Sequence, residues 1–114
     1  MTRRPTRRSV MVGTAAMAAV PVPITLLADI GKVHEVEIRS FEFNPGLIQV
    51  RVGDMIRWSN KDLAPHTATA DQFGWNTGAL EKDAVGEVWV TDGMETTYFC
   101  AFHPHMKGRI EITH

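Results

Sequence analysis

The chain has 114 residues, 44% of them hydrophobic and 22% charged, with a formal net charge of −1, which is the size and make-up of one globular domain and leaves no room for a second. The balance hides an asymmetry, because Arg3, Arg4, Arg7 and Arg8 precede every acid, and residues 29–114 carry eight basic against thirteen acidic side chains, a net of −5. An acidic body argues against nucleic acid as a partner, and a single cysteine, Cys100, excludes an internal disulfide.

The opening TRRSVMVGTAAMAAVPVPITLLAD, residues 6–29, places Arg7 and Arg8 before an apolar run that extends to Ala28 and is broken by Pro21 and Pro23. That layout predicts an export signal over residues 1–28 of the twin-arginine type, followed by a domain over 29–114 in a bacterial periplasm. The alternative is an uncleaved membrane anchor, since the run is nearly long enough to span a bilayer. Its prolines and small residues make a poor span, so membrane contact is expected only if the leader is retained. The cut falls after AMA at 16–18 or after Ala28.

Beyond the leader, no stretch sustains apolar residues at helical spacing, whereas short alternating runs bounded by Gly, Pro, Asn and Asp recur, which predicts an all-β sandwich. Val36 and Ile38 share a face, and the switch of parity to Phe41 and Phe43 implies a bend or bulge near Ser40. NPG at 44–46 is a turn; Ile48, Val50 and Val52 alternate with polar residues, and Ile56 and Trp58 resume the inward face after Gly53 and Asp54. His66, Ala68 and Ala70 continue as a short strand, and residues 71–86 read as an irregular hairpin or a brief helical turn. Val88 and Val90 face inward, Thr96, Tyr98 and Cys100 share a face, and Ile110 and Ile112 form the last strand.

This parity ends an inward series on Cys100, with His103, His105 and Met106 following in AFHPHMKG, while His66 stands at the inward edge of another strand. Loops of an antiparallel sandwich alternate between its two ends, so the two places can meet at one pole. Two imidazoles, a thiolate and a weak axial thioether are the donor set of blue copper. Zinc has no use for the methionine and usually takes a second cysteine or a third histidine. The spacing suits a short turn wrapped around one ion and stiffened by Pro104. Taken singly, a lone Cys is most often a small buried hydrophobe, Met106 core filler, and His66 a hydrogen-bonded strand-end residue. It is their coincidence that points to metal.

FEFNPGLIQVRVGDMIRWSNKDLAPHTAT and YFCAFHPHMKGRIEI, within residues 36–112, closely resemble the two ligand-bearing stretches of the cupredoxins, small blue copper proteins of the amicyanin, pseudoazurin and plastocyanin type. The resemblance implies a Greek-key β-sandwich with one copper at one end. It assigns His66, Cys100 and His103 as strong equatorial ligands and Met106 as the weak axial one. Many relatives carry asparagine after the first histidine ligand, where it ties the two ligand loops together; Thr67 stands there, and its hydroxyl makes a shorter link. Thr96 replaces a common aromatic, and His105 replaces an apolar loop residue and is expected to be exposed and non-ligating.

The expected function is a monomeric periplasmic carrier of single electrons, exchanging them through the edge of His103 with transient redox partners such as a cytochrome or a dehydrogenase. An apolar patch of Ala64, Pro65, Phe102 and Pro104 supports brief docking. Copper storage or delivery is the alternative. An enzyme is disfavoured, because once His66 and His103 are committed only His34, His105 and His114 remain for a catalytic copper, and no acid and base pair up for hydrolysis.

Overall fold

Eight strands account for the regular structure of residues 31–114, the part of the chain that the computed structural model describes. The export signal expected over 1–28 lies outside the described residues. In chain order the strands are β1 (Val33–Arg39), β2 (Glu42–Asn44), β3 (Leu47–Arg51), β4 (Met55–Asn60), β5 (Thr69–Ala70), β6 (Val85–Trp89), β7 (Thr97–Phe99) and β8 (Lys107–Thr113), with no helix among the described residues. They form two four-stranded sheets, ordered β2-β1-β4-β6 and β3-β8-β7-β5. Each sheet mixes hands: β1 pairs parallel with β4 and β3 parallel with β8, while the remaining pairs are antiparallel.

Period-two patterning explains which residues fill the space between the sheets. In β3, Ile48 and Val50 point inward and Leu47, Gln49 and Arg51 outward; in β4, Ile56, Trp58 and Asn60 point inward. Val36, Ile38, Ile56 and Trp58 are completely buried, and Ile110 nearly so, and each such aliphatic side chain contributes roughly 1.5–3 kcal/mol. At the centre the Tyr98 ring meets Phe43 at 4.7 Å, Trp58 at 5.5 Å and Trp75 at 5.6 Å, and the two indoles stack 5.4 Å apart. Burial pushes the Tyr98 phenol up to about 12; Trp58 faces it and offsets a little of this, though the two fall short of hydrogen-bond geometry.

Several expectations are corrected. Val52 is half exposed, because β3 ends at Arg51 and the chain turns at Gly53, whose φ is +98°. The bend near Ser40 is a tight turn: Arg39 pairs with Glu42, leaving Ser40 and Phe41 as a two-residue hairpin loop at φ 54° and 59°, so Phe41 is exposed and does not share the inward face of Phe43. Left-handed backbone costs a residue with a Cβ about 1–2 kcal/mol. His66 belongs to no strand; it makes an isolated bridge to Leu80, and with the Thr69 to Asn76 bridge this closes an irregular hairpin that has no helical turn, before β6 begins at Val85.

His34 is only partly exposed and sits 2.8 Å from Asp54. The Asp54 carboxylate, nearly buried, also accepts the backbone N–H groups of Lys32 and Arg51, both at 2.9 Å. Burial pushes this carboxyl upward, but the Lys32 N–H, His34 and the Arg51 N–H together outweigh it, and its pKa lies below the ordinary value. A depressed carboxylate stabilises the fold above its unfolded pKa and loses that contribution as pH falls through the lower folded value. Asp54→Asn is therefore expected to cost about 2–3 kcal/mol near neutrality, the scale of hydrogen bonds to a charged group. Urea unfolding at a series of pH values should show that cost shrinking toward the acid end; a constant difference would remove the charge from the account.

Candidate metal centre

Two loops at the same pole carry the four residues singled out by the sequence. The first runs from the end of β4 to His66. Buried Asn60 shapes it: its Nδ2 donates to Ala64 O at 2.9 Å and Leu80 O at 2.8 Å, and its Oδ1 accepts the Asp62 N–H at 2.8 Å. His66 is then held by backbone bonds to Leu80 in both directions, 3.1 and 2.7 Å, and its ring is wholly buried.

The second loop joins β7 to β8. The His103 N–H donates to Cys100 O at 3.1 Å, the Met106 N–H to His103 O at 2.9 Å, and the Cys100 N–H to Met106 O at 3.1 Å. Two successive turns, closed by a third bond, thus place residues 100, 103 and 106 at the corners of one compact ring. Pro104, which has no N–H, falls where none is needed. Cys100 and Met106 are buried and His103 is half-buried.

The structure brings His66, Cys100 and His103 together. Cys100 Sγ lies 3.6 Å from His66 Nδ1 and 3.7 Å from His103 Nδ1, and all three donor atoms fall within 4.8 Å of one another. For bonds of about 2.3 Å to sulfur and about 2.0 Å to nitrogen, those separations subtend roughly 115° at a shared ion. That angle fits a trigonal or a tetrahedral centre equally well. The donor set decides between them: one thiolate, two imidazoles and a buried methionine in the same loop suit copper better than zinc. Met106 is bonded through its backbone to both Cys100 and His103, which keeps it in the ring.

The groups around the donors fix their chemistry. His66 Nε2 is 2.8 Å from Asp62 Oδ2; the carboxylate accepts Nε2–H, which leaves the Nδ1 lone pair facing Cys100. Burial pushes the Asp62 carboxyl upward, but N–H donation from Phe41 and Ser40, together with His66, holds it below the ordinary range. The Thr67 N–H reaches Cys100 Sγ at 3.4 Å, and Thr67 Oγ1 accepts the Ala101 N–H at 2.8 Å. Thr67 therefore ties the two ligand loops together, as expected of its short hydroxyl, and its Oγ1 lies 2.8 Å from Thr69 Oγ1, which donates to Asn76 Oδ1 at 3.1 Å.

His105 is exposed, its ring 6.4 Å from that of His103. Sequence reasoning missed Asp62 and Phe41. The Phe41 ring stands edge-on to His66 at 5.0 Å and to His103 at 4.8 Å. Phe102 of the expected apolar patch is half-exposed, and Leu63, 85% exposed, and half-exposed Phe41 are carried by the segments that meet at this pole and extend that patch. A cavity of about 590 Å³, lined in part by Lys32, His34, Arg51 and Asp54, lies at the other end of β4, about 20 Å away along a six-residue strand.

No protein-family model matches the sequence. The chain is 27% identical over 108 residues to amicyanin-alpha of Methylorubrum extorquens, covering 87% of each protein. It is 22% identical over 82 residues to the amicyanin of Paracoccus denitrificans, covering 68% of this chain and 63% of that one. Among solved structures, the Cu(I) form of a methionine-to-alanine variant of amicyanin superposes with a TM-score of 0.64 at 24% identity, over 71% of this chain and 82% of its own. The oxidised state of a proline-to-alanine variant gives 0.64 at 23%, with the same coverage. With two mixed sheets, a Cys100-to-Met106 ring and a distant histidine closing on the same sulfur, the chain is cupredoxin-like in fold.

Proposed function

We propose that His66, Cys100, His103 and Met106 hold one copper ion and that the protein is a periplasmic carrier of single electrons. The observation that carries this reading is the gathering of one buried thiol and two imidazole nitrogens, from loops on different strands, within 4.8 Å. Copper, when bound, supplies a couple between Cu(I) and Cu(II). The chain's part is to keep the donors from moving as the charge changes. Asp62 holds the His66 tautomer, Thr67 binds one ligand loop to the other and donates to the sulfur, and three backbone bonds stiffen residues 100–106.

Similarity to the two amicyanins supports the carrier reading. So does the position of the centre beneath an exposed apolar rim: rim residues such as Leu63 and Phe102 suit brief docking of a monomer on a cytochrome or a dehydrogenase. His34 pairs with Asp54, at the opposite end of β4 from this pole. Export by the twin-arginine route, on residues 1–28, belongs to the same reading.

Stepwise addition of Cu(II) to the metal-free protein tests it. The expected result is an intense blue or green band that saturates at one equivalent, with a paramagnetic resonance spectrum of thiolate-bound copper. Colourless binding, or no binding, would overturn it. Rapid handover of Cu(I) to an acceptor, with poor electron exchange, would replace carriage by delivery.

A further inference from the structure

His66 and His103 are oriented by different means. The ring of His66 is fixed through its outer nitrogen by Asp62, whereas the ring of His103 makes its one contact of hydrogen-bonding type, among the described residues, with Cys100 Sγ. What stands against His103 instead is Phe41. The rings of Phe41, His66 and His103 form a triangle with centroid separations of 5.0, 4.8 and 4.9 Å, and Phe41 meets both imidazoles edge-on, at 89° and 85°.

Holding Phe41 there is unfavourable by itself. The residue is 43% exposed, so core packing does not account for its place. Its backbone and that of Ser40 are both left-handed, at φ 59° and 54°, in a kind of turn that ordinarily selects glycine or asparagine. Asp62 compensates: one oxygen accepts the Ser40 N–H at 2.7 Å, and the other accepts the Phe41 N–H at 2.9 Å as well as the His66 ring at 2.8 Å. A single carboxylate therefore binds the strained turn to one ligand ring, and the turn places an aromatic edge against the other. Strain that other contacts over-determine, beside a functional cluster, points to a positional role.

We propose that Phe41 is a positioning residue for the metal cluster, its ring restraining the imidazole of His103 over Cys100 with the turn held in place by Asp62. The role rests on the reading of this cluster as a metal site, but the restraint itself is a property of the chain without metal.

The test compares the full chain with Phe41→Ala, Phe41→Gly and Phe41→Tyr. In the metal-free protein, the ring C–H resonances of His103 are expected to be sharp in the native chain and in Phe41→Tyr, and broadened by exchange in Phe41→Ala and Phe41→Gly. In the copper-loaded protein, release of the metal to a chelator is expected to be about tenfold or more faster in the two small variants, the lower range for losing a group that orients a ligand, and near native in Phe41→Tyr. Glycine accepts a left-handed φ freely, so Phe41→Gly should unfold at no lower temperature than Phe41→Ala. Loss of His103 order in both then cannot be ascribed to a damaged fold. Native sharpness and native release in Phe41→Ala would overturn the proposal. Should the native chain take up no copper, the metal reading fails, while the metal-free spectra still decide whether Phe41 restrains the ring.

Discussion

A Cys100→Ser chain is expected to lose the intense visible band of the copper-loaded protein completely. That band requires a thiolate bonded to the metal, and Cys100 is the chain's single thiol. A serine hydroxyl stays protonated near neutrality and is a hard donor where copper favours a soft one. The fold should survive the exchange. Cys100 is buried, but the Thr67 N–H that faces its sulfur can donate to an oxygen, and the three backbone bonds of the ligand loop do not involve the side chain. The cost of the buried hydroxyl should be about 1–2 kcal/mol. Absorption and paramagnetic resonance spectra, taken beside the metal content and the thermal unfolding of the metal-free variant, check both parts. A variant that remains blue would remove Cys100 from the ligand set.

Gly108→Ala should have the largest effect on stability. Gly108 on β8 lies opposite Tyr98 on β7, and a Cβ built on it would clash with Cζ and the hydroxyl oxygen at the tip of the Tyr98 side chain. The ring cannot simply retreat, because Phe43, Trp58 and Trp75 enclose it. Overpacking a closed core costs about 1–3 kcal/mol and occasionally more; with a ring hemmed in on several sides, the upper end is expected. A loss of about 3 kcal/mol lowers the midpoint of thermal unfolding by roughly 12–24 °C in a domain of this size. Circular dichroism during heating measures it, and Tyr98→Leu in the same chain should recover part of the loss. Tyr98 stands two residues before Cys100, so displacement of β7 should also disturb the donor cluster. A variant that melts within a few degrees of the native chain would show that the ring has room to move.

The features legible in the sequence share a short range. Alternation along β1, β3 and β4 places Val36, Ile38, Ile48, Val50, Ile56 and Trp58 inward because side-chain direction in a strand follows from parity alone. Residues 100, 103 and 106 are close in sequence and close in space for the same local reason, two linked turns. That His66 would meet them required only the assumption that loops gather at one pole. Where residues from separate strands meet without a compositional sign, the reading falls short. Nothing in Ser40 and Phe41 announces a left-handed turn, and Asp62, which makes that turn possible, looks like any exposed acid in a charged body. The pairing of His34 with Asp54 and the stacking of Trp75 on Trp58 escape notice for the same reason.

The place of β8 in its sheet bears on when the donor cluster can first exist. β8 lies between β3 and β7, with Leu47 aligned to Arg109 and Ile48 to Ile110. A growing polypeptide must therefore carry β3 unpaired on that side until residues 107–113 have been made, and so distant a pairing slows folding toward the millisecond-to-second range. Until β8 docks, the sheet that seats the thiol of residue 100 against His66 is incomplete. Whichever compartment holds the chain when its last strand docks is the one whose metal supply the newborn site meets.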